Sequence, residues 1–223
     1  MNPTRLVSLG TSCISGVQIK FIRNQTGLVS PFTWSLCPVE KVLSIIKDDF
    51  NTILDKDEYV TTDGRPSWRD GINQVGGGGY SMPGSTCGIE FPHSNPAHNE
   101  DDYAKLKAQC TYIKECLSQP CDIGYMLTMF HDYKSKRETL ISIREIIPKD
   151  CKLLVSQVNI GENSEPELND DNIYVTSLDI GDYTKRSAGR NQPGLLRKGE
   201  RARGYGISPE YTKIVDTVFF EEC

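Results

Sequence analysis

The run Ser8-Leu9-Gly10-Thr11-Ser12-Cys13 places a thiol directly after a glycine and two hydroxyl residues. If Leu6, Val7 and Leu9 form a strand, and Ile14, Val17 and Phe21 mark one side of a helix, Cys13 sits at the amino end of that helix. Free backbone N–H groups and the helix dipole gather positive potential there. A thiol so placed ionises more readily, which makes Cys13 the candidate nucleophile, with Gly10, Thr11 and Ser12 as the anion-binding turn around it. The competing expectation is a buried cysteine that fills a small apolar space.

A thiol nucleophile needs a base, and the chain has only three histidines: His93, His98 and His131. His93 and His98 lie five apart in the proline-bearing stretch Phe91-Pro92-His93-Ser94-Asn95-Pro96-Ala97-His98. His131 and Asp132 follow the apolar run Ile123 to Phe130, which reads as a buried strand. Residues at a strand's carboxyl end stand on the edge where open α/β sheets build their sites, so His131 and Asp132 join the candidates as base and orienting carboxylate.

A different chemistry is written between Lys185 and Arg203. Seven basic residues stand there against one acidic residue, in a chain whose formal net charge is −5. Arg190, Arg197, Lys198, Arg201 and Arg203 in one loop suit a compact anion such as a phosphate better than a nucleic-acid duplex. With Asp55-Lys56-Asp57 as a possible cation ligand, this supports an alternative reading as a glycan or sugar-nucleotide enzyme, glycosyltransferase-like. The DxD spacing is common by chance and fits a solvated turn equally well. A third reading is a non-catalytic binding domain with an inert Cys13. Gly76 to Gly79 lack the lysine and hydroxyl of a phosphate-binding loop and carry little weight.

The elements that must position these groups follow from periodicity. After the Cys13 helix, Leu28 to Trp34 reads as an extended segment. Pro38 then opens one helix carrying Val39, Val42, Leu43, Ile46, Phe50, Ile53 and Leu54. Residues 59–88 read as an irregular insertion. Asn99 to Asp102 cap a helix with Tyr103, Leu106, Cys110, Ile113 and Leu117 on one face. The helix carrying Leu140, Ile141, Ile143, Ile146 and Ile147 stops at Pro148, strands follow at Lys152 to Val158 and Ile173 to Leu178, and residues 185–207 form the basic loop. Ser208-Pro209 opens a last helix with Tyr211, Ile214, Val215, Val218 and Phe219. The rhythm predicts one α/β domain over residues 1–223, a three-layer sandwich around a mainly parallel sheet of Rossmann-type or SGNH-hydrolase-like form.

The 223 residues suffice for a core without disulfide or metal, and the eight scattered cysteines read as reduced thiols of a cytoplasmic protein. No CxxC pair or zinc-finger spacing occurs, and the start of the chain leaves no room for a signal peptide. The expectation is therefore no metal, no cofactor, no nucleic acid and no membrane partner, with a small-molecule, peptide or glycan substrate and an oligomeric state left open.

Ser8 to Cys13, Pro31-Phe32-Thr33-Trp34, Phe50 at a helix end and Phe91-Pro92-His93, in that order, resemble a domain of unknown function described as papain-like cysteine peptidases (DUF1796). The likeness spans roughly the first 160 residues. It implies hydrolase chemistry with Cys13 as nucleophile and His93 as its partner. The family usually has aspartate where this chain has Thr33, so the resemblance implies a triad lacking its third member at that position.

Overall fold

The computed structural model describes residues 5–11, 13–23, 29–35, 37–58, 60–61, 80–81, 89, 91, 94, 96, 99–118, 122–129, 133–159, 164–179 and 209–220. Four strands, β1 (Arg5–Ser8), β4 (Ile123–Met129), β5 (Leu153–Asn159) and β7 (Tyr174–Asp179), pair in parallel in that order. The short β6 (Glu167–Leu168) closes the β7 edge antiparallel, completing a five-stranded, mostly parallel sheet. A separate two-residue ribbon joins β2 (Val60–Thr61) to β3 (Tyr80–Ser81) within the stretch read as an irregular insertion. Neither the ribbon nor β6 is long enough to show periodicity.

Alternation along the strands feeds two cores. Val7, Leu9, Tyr125, Leu127, Met129, Leu153 and Val155 face one way, under α2 (Val39–Lys47), α4 (Glu100–Ser118) and α5 (Tyr133–Ile146). Leu6, Met126, Leu154 and Leu178 face the other way, under α1 (Cys13–Arg23) and α6 (Pro209–Phe219), which bring Ile14, Ile19, Tyr211, Val215 and Phe219. Helices therefore cover both faces of the sheet, the mixed α/β sandwich that the strand–helix rhythm predicts. Asn99 caps α4 as expected, its Oδ1 accepting the N–H groups of Asp101 and Asp102 at 3.0 and 3.1 Å. Among the described residues no helix is long and apolar enough to cross a membrane.

Two local expectations are corrected. The single helix after Pro38 is two: α2 ends at Lys47, and α3 (Asn51–Leu54) begins after a break. Asp49 and Phe50 turn left-handed, with φ of 57° and 63°. The N–H of Phe50 reaches back to Ile45 O at 2.9 Å and that of Asp49 to Ile46 O at 3.1 Å, the paired bonds that end a helix at a left-handed residue. Asp48 then turns its carboxylate forward, accepting the N–H of Thr52 at 3.1 Å, so the polar pair closes one helix and starts the next.

The second correction concerns Leu28 to Trp34, expected to be extended. Residues 31–34 form a turn instead, with Thr33 N–H donating to Ser30 O at 3.0 Å. The Ser30 hydroxyl drives it, accepting the N–H of Phe32 at 3.1 Å while donating to Ser8 O at 2.5 Å.

Candidate active site

The candidate site lies where β1 ends. Leu9 N–H donates to Met126 O at 2.8 Å, so the chain stays registered on β4 past the strand. Gly10 then adopts φ +85°, a conformation that L side chains rarely take, and a Cβ there would stand 3.2 Å from that of Phe32. The Gly10 N–H donates to the Ser8 hydroxyl at 3.1 Å. Thr11 is held from both sides. Its N–H and its hydroxyl donate to Thr128 O at 3.2 and 2.6 Å, and its own carbonyl accepts the N–H of Cys37 at 3.1 Å. Two residues later, Cys13 is the first residue of the 11-residue α1.

The backbone of Cys13 is thus at the amino end of a helix that follows the first parallel strand, as its neighbours in sequence predict. The Cys13 side chain, Ser12, His93, His98, His131, Asp132 and the basic residues Arg190, Arg197, Lys198, Arg201 and Arg203 lie outside the described residues. Of the predicted positions, Gly10 and Thr11 are placed completely.

Phe32 of the turn at residues 31–34 packs against this site. Phe32 is fully buried, its ring centroid 6.2 Å from that of Phe50 and its Cβ against Gly10. Phe50 and Phe91 belong to the same core. Thr33 is buried against α1: a Cβ on Gly16 would lie 2.4 Å from Thr33 Cγ2 and 2.7 Å from its carbonyl oxygen. Thr33 therefore packs one turn along the helix that Cys13 opens.

Sequence periodicity passes over a set of polar groups beneath α1 and α6. Ser8, Thr128, Ser156 and Thr176 are all buried on the sheet face those helices cover. The Ser15 hydroxyl of α1 donates to Thr128 Oγ1 at 2.7 Å, and Thr128 Oγ1 donates to Gln18 Oε1 at 3.4 Å. Ser156 shares a 2.6 Å hydrogen bond with the buried Tyr211 hydroxyl. The signal that marks them is a polar residue toward the carboxyl end of an otherwise apolar strand, such as Thr128 within Ile123–Met129. Among the described residues the buried Gln18 Nε2 and Ser35 Oγ have no hydrogen-bond partner.

Four thiols lie in the core among the described residues. Cys37, Cys110, Cys116 and Cys151 are buried and free. Burial pushes the Cys110 thiol up to about 12 and raises Cys37 and Cys116 as well, so they hold their protons and are poor nucleophiles. Asp55 and Asp57 lie on an exposed turn where the Asp55 carboxylate accepts the N–H of Asp57 at 3.0 Å. Among the described residues no group of three His, Cys, Asp or Glu side chains is arranged to hold a metal ion.

No protein-family model matches the chain, and searches of curated proteins and of solved structures return no match.

Proposed function

We propose that the protein is a thiol-dependent hydrolase or acyltransferase in which Cys13 is the nucleophile and a histidine the base. The observation that carries the reading is the bonding of Thr11 to Thr128, which ties the turn before Cys13 to the carboxyl end of β4. Met129 ends β4, the direct parallel neighbour of β1, and His131 and Asp132 are the second and third residues after it in sequence. This adjacency favours His131 as base with Asp132 to orient it, while the resemblance to papain-like peptidases favours His93. The distribution of the thiols supports the same choice, since burial disables Cys37, Cys110 and Cys116.

In the reaction the imidazole takes the thiol proton and the sulfur attacks the substrate carbonyl carbon, forming a tetrahedral oxyanion beside the backbone N–H groups of the first turn of α1. Collapse breaks the bond to the leaving amine or alkoxide, which leaves with the proton from the imidazolium. Water then releases the acid, or another nucleophile accepts the acyl group. A reduced thiol nucleophile suits a cytoplasmic setting.

The test is an acyl trap. With p-nitrophenyl acetate, the wild-type chain acquires one acetyl group on the peptide containing Cys13, and Cys13→Ala acquires none. Turnover by Cys13→Ala at the wild-type rate would reject the reading.

A further inference from the structure

The geometry points to Thr128 as the positioning residue of the Cys13 turn, an inference that rests on the nucleophile reading above. Thr128 engages the chain on both sides of Cys13. Its N–H donates to Gly10 O at 3.0 Å, and its carbonyl accepts the N–H and the hydroxyl of Thr11 at 3.2 and 2.6 Å, fixing the residues that precede the thiol. Its hydroxyl accepts from Ser15 Oγ at 2.7 Å and donates to Gln18 Oε1 at 3.4 Å, fixing the helix that follows.

The two bonds of the Thr128 hydroxyl are out of water. Thr128, Ser15 and Gln18 are fully buried, so these hydrogen bonds have no solvent competitor and a lost partner is not replaced. The hydroxyl can be removed by a single substitution while the strand bonds stay, since Gly10 and Thr11 are held by the Thr128 backbone and α1 by its Oγ1. Among the described residues the buried Gln18 Nε2 has no hydrogen-bond partner, so Thr128 Oγ1 is the polar contact of that amide there. One hydroxyl on β4 therefore sets where the first turns of α1 lie against the sheet, and with them the direction in which residue 13 leaves the turn. A catalytic thiol misplaced by a fraction of an ångström loses rate without any loss of fold.

The experiment is iodoacetamide alkylation near neutral pH, resolved by peptide for each cysteine, on the full chain. In wild type, Cys13 reacts faster than glutathione. In Thr128→Val, which keeps the branched shape and loses the hydroxyl, Cys13 slows by about tenfold, while buried Cys37 and Cys110 stay as slow as before. Thr128→Ser restores the Cys13 rate to within about twofold of wild type. Should Thr128→Val not fold, Ser15→Ala carries the same expectation for Cys13, because it removes the donor to the same hydroxyl. A fast Cys13 that neither variant slows overturns the positioning role and leaves the nucleophile reading standing. Faster labelling of Cys37 and Cys110 together with Cys13 also overturns it, because that pattern reports a loosened fold. A wild-type Cys13 no faster than glutathione overturns both.

Discussion

Gly16 of α1 lies so close to Thr33 that an added Cβ would fall 2.4 Å from the threonine Cγ2 and 2.7 Å from its carbonyl oxygen. Through this contact the turn of residues 31–34 braces the helix that begins at Cys13. The carbonyl belongs to a backbone that Ser30 fixes to Ser8, so the collision cannot be relieved by a rotamer change alone.

Gly16→Ala should therefore destabilise the protein by about 1–3 kcal/mol, the usual cost of overpacking a filled interior. For a chain of this length each kcal/mol moves the melting temperature by about 2–4 °C. Thermal unfolding checks it, and Thr33→Ser in the same background should recover only part of the loss, since it removes Cγ2 and leaves the carbonyl. An alanine variant that melts with wild type would show that the turn yields freely.

A second relationship fixes the other helix on that face. The Tyr211 hydroxyl and Ser156 Oγ share a 2.6 Å bond in a fully buried setting, and burial raises the tyrosine's pKa. Tyr211→Phe leaves the serine hydroxyl without its partner and should cost about 1–3 kcal/mol. Ser156→Ala removes the same bond from the tyrosine side, and the double variant should cost less than the two together, because the shared bond is lost only once. Denaturant unfolding of the four proteins measures the coupling; strict additivity would mean the bond contributes nothing.

The sheet and its helices were legible because each core strand and helix carries a long, consistent apolar pattern, as in Ile123–Met129 with its six buried residues in succession. The position of Cys13 was legible for a related reason: a glycine after Leu9 ends the strand and permits a φ of +85° that other residues resist. The break at Asp48 to Phe50 was hidden because Phe50 keeps the helical apolar spacing even though its backbone turns left-handed, held there by burial against Phe32. The turn at Pro31 to Trp34 was hidden because it depends on Ser30 reaching Ser8, 22 residues earlier. Thr128 escaped notice for a similar reason, since its partners Ser15 and Gln18 are more than 100 residues away in sequence. Periodicity reports which face is buried, and not which polar groups meet there.

Buried thiols and phenols give the protein a defined response to base. The ordinary thiol value of 9.0 is pushed up to about 12 at Cys110 and the ordinary phenol value of 10.0 up to about 12 at Tyr112, in both cases chiefly by burial. These groups keep their protons in the fold at pH values where the unfolded chain has released its own. Their contribution is complete below the unfolded value and is lost as pH rises through the folded one. Stability should therefore fall steadily between pH 9.0 and about 12, and fall less steeply in Cys110→Ala, whatever that variant loses near neutrality. Denaturation midpoints recorded across this range test the slope; equal slopes for the two proteins would exclude a contribution from Cys110.

The parallel pairing of β1 with β4 ranks the two proposed bases. Ser8 is in register with Met126, and Thr11 bonds to Thr128, so the chain that leads to Cys13 and the strand that leads to His131 advance side by side toward the same edge. Among the described residues no strand of the main sheet leads directly to His93; the nearest of them on its amino side, Phe91, is buried in the core under α2, α4 and α5. Loss of a general base typically lowers rate by about 10²–10⁴-fold. His131→Ala should therefore reduce acetylation of Cys13 by p-nitrophenyl acetate by about that factor, and Asp132→Asn by less, because a positioning carboxylate acts only through the imidazole. His93→Ala should leave the rate within about threefold of wild type, a change too small for loss of a base. The reverse ranking, with His93→Ala the damaging substitution, would move the base to the position that the peptidase resemblance implies and would separate the base from the β1–β4 edge.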